Sequence, residues 1–151
     1  MALDQDYSEI LCIGLKQVGK PGKIVSLPDL FNTLLSDEFW TLVTFNGKQF
    51  DIPIILKQAI KQGLITEQRA LYRGLFSATQ KFNTRNHYDL MQYIPFFGQA
   101  KSLDKYSQIY LGKSKTECDF NTASKSEIEA HCLEDLDITE SLFNMFSPMF
   151  M

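Results

Sequence analysis

The sequence predicts an α/β fold, a mixed β-sheet with helices packed on its faces. Three observations carry that prediction. A strand-turn-strand pattern occupies residues 8–26. A compact β-rich run at 40–45 is followed closely by an amphipathic helix from Asp51. The chain then closes on a long helix over 126–146. Strands and helices in this order pack as layers around one core.

Each element has a local reason. Residues 8–16 read as a strand, with Ile10, Cys12 and Gly14 alternating against Leu11, Ile13 and Leu15. Two glycines and a proline make 17–22 a turn, so 23–26 can pair back as the second arm of a hairpin. Pro28 marks a helix start, and Leu30, Phe31, Leu34 and Leu35 follow at helical spacing. Residues 40–45 are expected to be a buried parallel strand. Asn46-Gly47 is a turn signal. Asp51 then opens a helix with Pro53 in its first turn. Ile52, Ile55, Leu56, Ala59 and Ile60 make its apolar face, and Gly63 ends it. Residues 66–86 are polar and mixed, a short helix and a loop, and 87–90 are a short strand end. Residues 102–111 are helical up to Gly112, and 113–124 are a polar loop. The last helix, 126–146, is expected to bury Ile128, Cys132, Leu136, Leu142, Phe143 and Phe146. The apolar run 142–151 is the end of that helix plus a tail that packs on the domain or on a partner.

Composition narrows the function classes. The 151 residues suit a single domain spanning 1–151, with 44% hydrophobic and 22% charged residues. A formal charge of −3 speaks against a general nucleic-acid-binding module, which is usually basic. A nuclease that holds metal ions with carboxylates can still be acidic, because the ions carry the positive charge. Aromatic residues make up 13% and are read first as core, only second as a base-stacking platform. Cys12, Cys118 and Cys132 are scattered without CxxC spacing, which argues against zinc. An odd cysteine count without a leader-like start fits a reducing cytoplasm. No window approaches the roughly 20 apolar residues of a membrane span.

Three clusters could carry chemistry. Asp51 stands at a helix start just after a buried strand, where α/β sheets bind ligands. A carboxylate there can face a divalent metal, and it can equally be an ordinary N-cap. His131 and Asp135 lie four apart on one helical face beside Cys132 and Leu136. A half-buried carboxylate needs a partner, which a metal or simply the histidine can supply. His87-Tyr88-Asp89-Leu90 is the third cluster, and it also reads as a polar strand end.

Together these stretches resemble DEDD-type (DnaQ-like) 3'-5' exonucleases of the ribonuclease H-like superfamily. The branch is that of predicted exonucleases related to family B polymerase proofreading domains. Phe45-Asn46-Gly47 with Phe50-Asp51-Ile52-Pro53 resembles the second exonuclease motif, and His87 to Leu90 resembles the "H-x-D-L" strand. Ser102-Leu103-Asp104 through Leu111-Gly112 and Lys115 resembles the stretch that follows. His131-Cys132-Leu133-Glu134-Asp135 with Thr139 resembles the third motif, Tyr-Cys-x-x-Asp and a Thr. The resemblance implies a ribonuclease H-like mixed sheet flanked by helices. It also implies phosphodiester hydrolysis with two Mg²⁺ or Mn²⁺ ions held by four carboxylates. Asp51 and Asp135 would be two of those metal ligands and part of the catalytic set. His131 stands where the family has a Tyr or His that orients the attacking water, and it could act as a general base. Its spacing to Asp135 follows the tyrosine type. Asn46, Phe50, Asp89 and Lys115 would contact the substrate, the 3' end of a single-stranded nucleic acid.

The departure from the pattern lies at the start. The family opens with a strand bearing Asp-x-Glu, well ahead of the strand equivalent to residues 10–16. Only residues 1–9 precede it in this sequence, and the Asp-x-Asp of Asp4 and Asp6 reads as a solvated loop. Two metal ligands and the family's first strand are thus without a counterpart. The expectation is weak metal binding and an impaired 3'-5' exonuclease. The alternative is a non-catalytic nucleic-acid- or protein-binding module that keeps the fold. In the ribonuclease H-like sheet that strand pairs on both sides, between the hairpin and strand 40–45. Unpaired buried backbone groups cost about 1–3 kcal/mol each. A strand from a second copy or another partner is therefore expected to fill the slot, which predicts a dimer.

Overall fold

A computed structural model describes residues 5–6, 8–36, 40–64, 69–81, 83 and 86–151. In chain order its strands are β1 (Ile13–Leu15), β2 (Lys23–Val25), β3 (Leu42–Thr44) and β4 (His87–Asp89). Its helices are α1 (Leu27–Leu35), α2 (Asp51–Lys61), α3 (Arg69–Ala78), α4 (Leu90–Tyr93), α5 (Leu103–Tyr106) and α6 (Lys125–Phe146). A π-helical turn, Ser107–Leu111, extends α5, and a 3-10 turn, Ser147–Met149, follows α6. The elements gather into two compact units, Met1–Leu11 with Ser26–Asp89, and Cys12–Val25 with Leu90–Met151. No described helix is long and apolar enough to cross a membrane.

The first unit is organised by β3 and β4, which pair in parallel with Leu42 opposite His87 and Thr44 opposite Asp89. The parallel strand expected at 40–45 is therefore present, though shorter. Helix α1 starts where Ser26 caps it, its hydroxyl accepting the Asp29 amide at 3.2 Å, with Pro28 in the first turn. Leu27, Leu30, Phe31 and Leu34 are buried at spacings of one helical face, and Leu35 points outward. Phe31 meets Tyr72 of α3 edge to face at 5.2 Å. Along α2 the buried residues are Ile52, Ile54 and Ala59, while Ile60 is exposed. The expected apolar face is thus corrected at its ends, because Ile54 is turned inward at the helix start. Asp6 lies exposed in a turn, as expected of a solvated loop, and it also pairs with Lys57 of α2 at 2.8 Å, which holds its carboxyl below the usual range. Asp4 lies outside the described residues.

The second unit packs the β1–β2 hairpin against α6. Ile13 pairs with Val25 and Leu15 with Lys23 in antiparallel register. Gly14 makes the close approach possible. A Cβ there would sit 2.8 Å from Leu136 Cδ1 and 2.9 Å from Cys132 Sγ. Lys16 pairs with Asp137 at 3.0 Å, and Glu140 accepts the Gly19 amide at 2.9 Å, so the hairpin is also held electrostatically. Helix α6 buries Ile138, Leu142 and Phe146 fully, and Ile128, Cys132, Leu136 and Phe143 only in part. The C-terminal tail folds back on its own unit, with Phe150 stacked on Tyr93 at 4.3 Å. The helix expected over 102–111 changes character at Ser107, where the winding loosens to π, and Gly112 ends it with φ +66°.

The single mixed sheet is not observed. The described residues form two separate two-stranded sheets, one antiparallel and one parallel. Every strand is three residues long; most flanking residues are irregular, with a turn after β3 and a helix directly after β4. For the hairpin, α6 supplies the cover that further strands would have supplied.

Candidate functional site

The first cluster is the turn that leaves β3. Asn46 adopts φ +63°, a left-handed conformation that asparagine tolerates. An added Cβ on the buried Gly47 would collide with the Thr44 side chain, so only glycine fits. The turn is clamped by Asp89 at the end of β4, which is 2% exposed. One carboxylate oxygen accepts the Asn46 amide at 2.7 Å, the other the Lys48 amide at 3.1 Å. Beneath it runs a second chain of bonds. The Gly47 amide donates to the Thr44 hydroxyl at 3.1 Å, which lies 2.7 Å from His87 Nε2, while His87 Nδ1 faces the Ala78 carbonyl at 2.8 Å. Nδ1 must carry the proton to meet a carbonyl, which leaves Nε2 to accept the Thr44 hydroxyl. Burial pushes the His87 pKa down, in keeping with that neutral ring. The buried Lys48 sends its ammonium to the Gln80 and Asn83 carbonyls. Burial lowers its pKa against the pull of Asp89.

This scaffold presents Phe50 and Asp51. The N-cap of α2 is Phe50, without a side-chain bond, and Asp51 is the first helical residue, exposed to solvent. Asp51 is therefore not the N-cap that its position suggested. A carboxylate in the first turn still meets the positive end of the helix dipole. Of the residues expected to bind substrate, Asn46 and Asp89 are brought together as a buried clamp. As placed, Asp89 holds the turn.

The second cluster lies on α6 and the 113–124 loop, in the other unit. Lys115 Nζ sits 2.6 Å from Asp135 Oδ1, and His131 Nε2 is 3.7 Å from Asp135 Oδ2. Lys115 is itself fixed by its amide, which donates to Asp104 at 2.7 Å. Phe120 meets the His131 ring edge to face at 5.4 Å. His131 Nδ1 is buried with no hydrogen-bond partner among the described residues. Glu134 accepts both the amide and the hydroxyl of Thr116, at 2.7 and 2.8 Å. Burial alone would raise the Glu134 carboxyl, but these bonds, with His131 and Lys115 nearby, outweigh it and lower the pKa. An open cleft of about 430 Å³ borders this group, lined by Asp104, Lys115, Thr116, Asp119 and His131 among others. Next to it, burial first, then the neighbouring Cys12 thiol and the Asp135 charge, push the Cys132 thiol up to about 12.

Lys115, His131 and Asp135 are thus brought together, while Asp51 and Phe50 belong to the first unit. Sequence reasoning missed Thr44, Lys48, Thr116, Glu134 and Phe120. Only Gly47 carried a local signal for the first of these, since nothing larger fits over Thr44. Among the described residues no three His, Cys, Asp or Glu side chains gather as a metal-binding group. The family described as predicted 3'-5' exonuclease related to the exonuclease domain of PolB matches residues 15–139. No curated protein and no solved structure matches the chain.

Proposed function

The chain belongs to the family of predicted 3'-5' exonucleases related to the exonuclease domain of PolB, and from that premise we propose that residues 1–151 act as one 3'-5' exonuclease-like domain on the 3' end of single-stranded nucleic acid. The family match over residues 15–139 carries this reading. The clamped turn that presents Asp51, and the α6 face that bears His131 and Asp135, support it. Asp51 and Asp135 offer the hard carboxylate oxygens that Mg²⁺ or Mn²⁺ takes. Such ions, if held there by Asp51 and Asp135, would supply activation of a water and stabilisation of the departing 3' oxygen. His131 orients the water, and Asn46, Phe50 and Lys115 contact the strand.

The donor set present does not complete such a site. Asp135 is already answered by the Lys115 ammonium at 2.6 Å, so an ion must displace it. Metal binding is therefore weak and hydrolysis impaired. The Lys115–Asp135 pair also favours a second reading, a non-catalytic module that binds nucleic acid or protein with the same fold. A 5'-labelled single-stranded DNA or RNA, incubated with Mg²⁺ or Mn²⁺ and resolved on a denaturing gel, separates them. The expected result is slow 3' shortening that Asp51→Ala and Asp135→Ala abolish. Robust Asp51-dependent activity would refute impairment, and retention without shortening would select the binding module. Neither binding nor shortening would reject a nucleic-acid role.

The chain is further proposed to form a homodimer. Two-stranded sheets leave strand edges to be paired or covered. Light scattering tests this at micromolar concentration, where a strict monomer rules it out. The three cysteines are unbridged, including the neighbouring Cys12 and Cys132, which supports a reducing, cytoplasmic setting.

A further inference from the structure

The turn Pro95–Gly98 is built against its own backbone preferences. Phe96 has φ +48° and Phe97 φ +67°, and the Gly98 amide closes the turn on the Pro95 carbonyl at 2.7 Å. Positive φ at both central positions is the pattern of a type I′ turn, which selects glycine, asparagine or aspartate. Two consecutive phenylalanines there are a genuine departure. Strain of this kind persists only where the surroundings hold it, and it gathers at functional sites. Phe96 is held, its ring 6.4 Å from that of Phe146. Phe97 is not: its side chain stands wholly in solvent. The turn therefore keeps an aromatic ring in solvent at a cost in strain, where burial gives it nothing.

The segment around the turn has its own charge. Residues 90–116 carry four lysines against one aspartate, in a chain whose formal charge is −3. Lys101, Lys105 and Lys113 are exposed. Lys101 is tied to the same aromatic group through its backbone, and Tyr106 stacks on Tyr110 at 6.2 Å. Tyr110 lies edge-on to Phe146 at 4.9 Å, and the Lys101 amide donates to the Tyr106 hydroxyl at 3.1 Å. Three exposed lysines in the same segment as a protruding aromatic ring, the fourth being paired with Asp135, suit a strand that offers phosphates and an open base face together.

We propose that Phe97 is a base-stacking element for single-stranded nucleic acid, with the phosphates drawn to Lys101, Lys105 and Lys113. This rests on the nucleic-acid reading above, and it assigns a binding surface to a turn that no exonuclease motif includes. The test is fluorescence anisotropy of a labelled oligothymidine and a labelled oligoadenosine at low salt with EDTA, which removes hydrolysis from the measurement. Phe97→Ala is expected to weaken binding by roughly 5- to 150-fold, the equivalent of about 1–3 kcal/mol. Phe97→Trp is expected to keep it. Phe97→Asn, which suits the turn, is expected to raise the melting temperature while it weakens binding. Because the ring is exposed, none of these variants threatens folding, and the melts verify that. Wild-type binding that Phe97→Ala leaves unchanged would overturn the stacking role and leave the functional reading standing. No strand binding by the wild type would overturn both. A dimer that Phe97→Ala dissociates, with strand affinity unaltered, would show that a second copy covers the ring and would also overturn the proposal.

Discussion

Asp89→Ala is the substitution that most directly probes how the first cluster is held. The Asp89 carboxylate is 2% exposed and accepts two backbone amides, from Asn46 at 2.7 Å and Lys48 at 3.1 Å. Hydrogen bonds to a charged group contribute about 1.5–3 kcal/mol each, and truncation leaves both amides buried without a partner. The expected loss is therefore about 3–6 kcal/mol, a large share of a domain's total of about 5–15 kcal/mol. With a urea slope of about 2 kcal/mol/M, the unfolding midpoint falls by about 1.5–3 M. Trp40 is the single tryptophan and lies in the same unit, its ring 3.5 Å from where a Cβ on Gly74 would sit. Its fluorescence reports the transition without a label. Asp89→Asn keeps one acceptor oxygen but turns an NH₂ toward a backbone N–H, so its loss should fall between wild type and alanine. Asp51→Ala, at an exposed position, should change stability by less than about 1 kcal/mol. A midpoint shift below about 0.5 M for Asp89→Ala, with the fold intact, would refute the clamp and with it the account of how the 46–51 turn is set.

Three further outcomes are expected. The His87 pKa is lowered in the fold, so its contribution to stability is fully present above the unfolded value of about 6.5 and is lost as pH falls through the folded pKa. Urea midpoints measured between pH 8 and pH 5 should decline below about pH 6.5, and His87→Gln should remove that part of the slope. Gly14→Val places atoms where Leu136 Cδ1 and Cys132 Sγ already stand, and calorimetry should show a loss of about 1–3 kcal/mol. The Cys132 thiol, pushed up to about 12, should resist iodoacetamide at pH 8 in the native state. Modification of Cys132 at the rate of a free thiol, followed by mass spectrometry, would contradict its buried setting.

What the sequence by itself determined lies within a few residues of each signal. Pro28 lies in the first turn of the helix whose start it marks, and Gly112 ends one with a left-handed residue. The hairpin, the parallel strand near 42 and the helix from Asp51 were legible for the same reason: turn chemistry and periodicity are local. Tertiary structure alone decided which way the ambiguous side chains turned. Ile54 is buried and Ile60 exposed on a helix whose pattern suggested the reverse, because the neighbours of the first turn come from elsewhere in the chain. Neither histidine motif disclosed its surroundings: His87 is locked beneath Thr44 while His131 borders an open cleft. Lys115 and Asp135, twenty positions apart, became an ion pair, and Asp89 found its partners more than forty residues away. A buried charge must be met by whatever donor the packing brings to it. That requirement is invisible in any local window, and it converted a motif aspartate, Asp89, into the clamp of a turn.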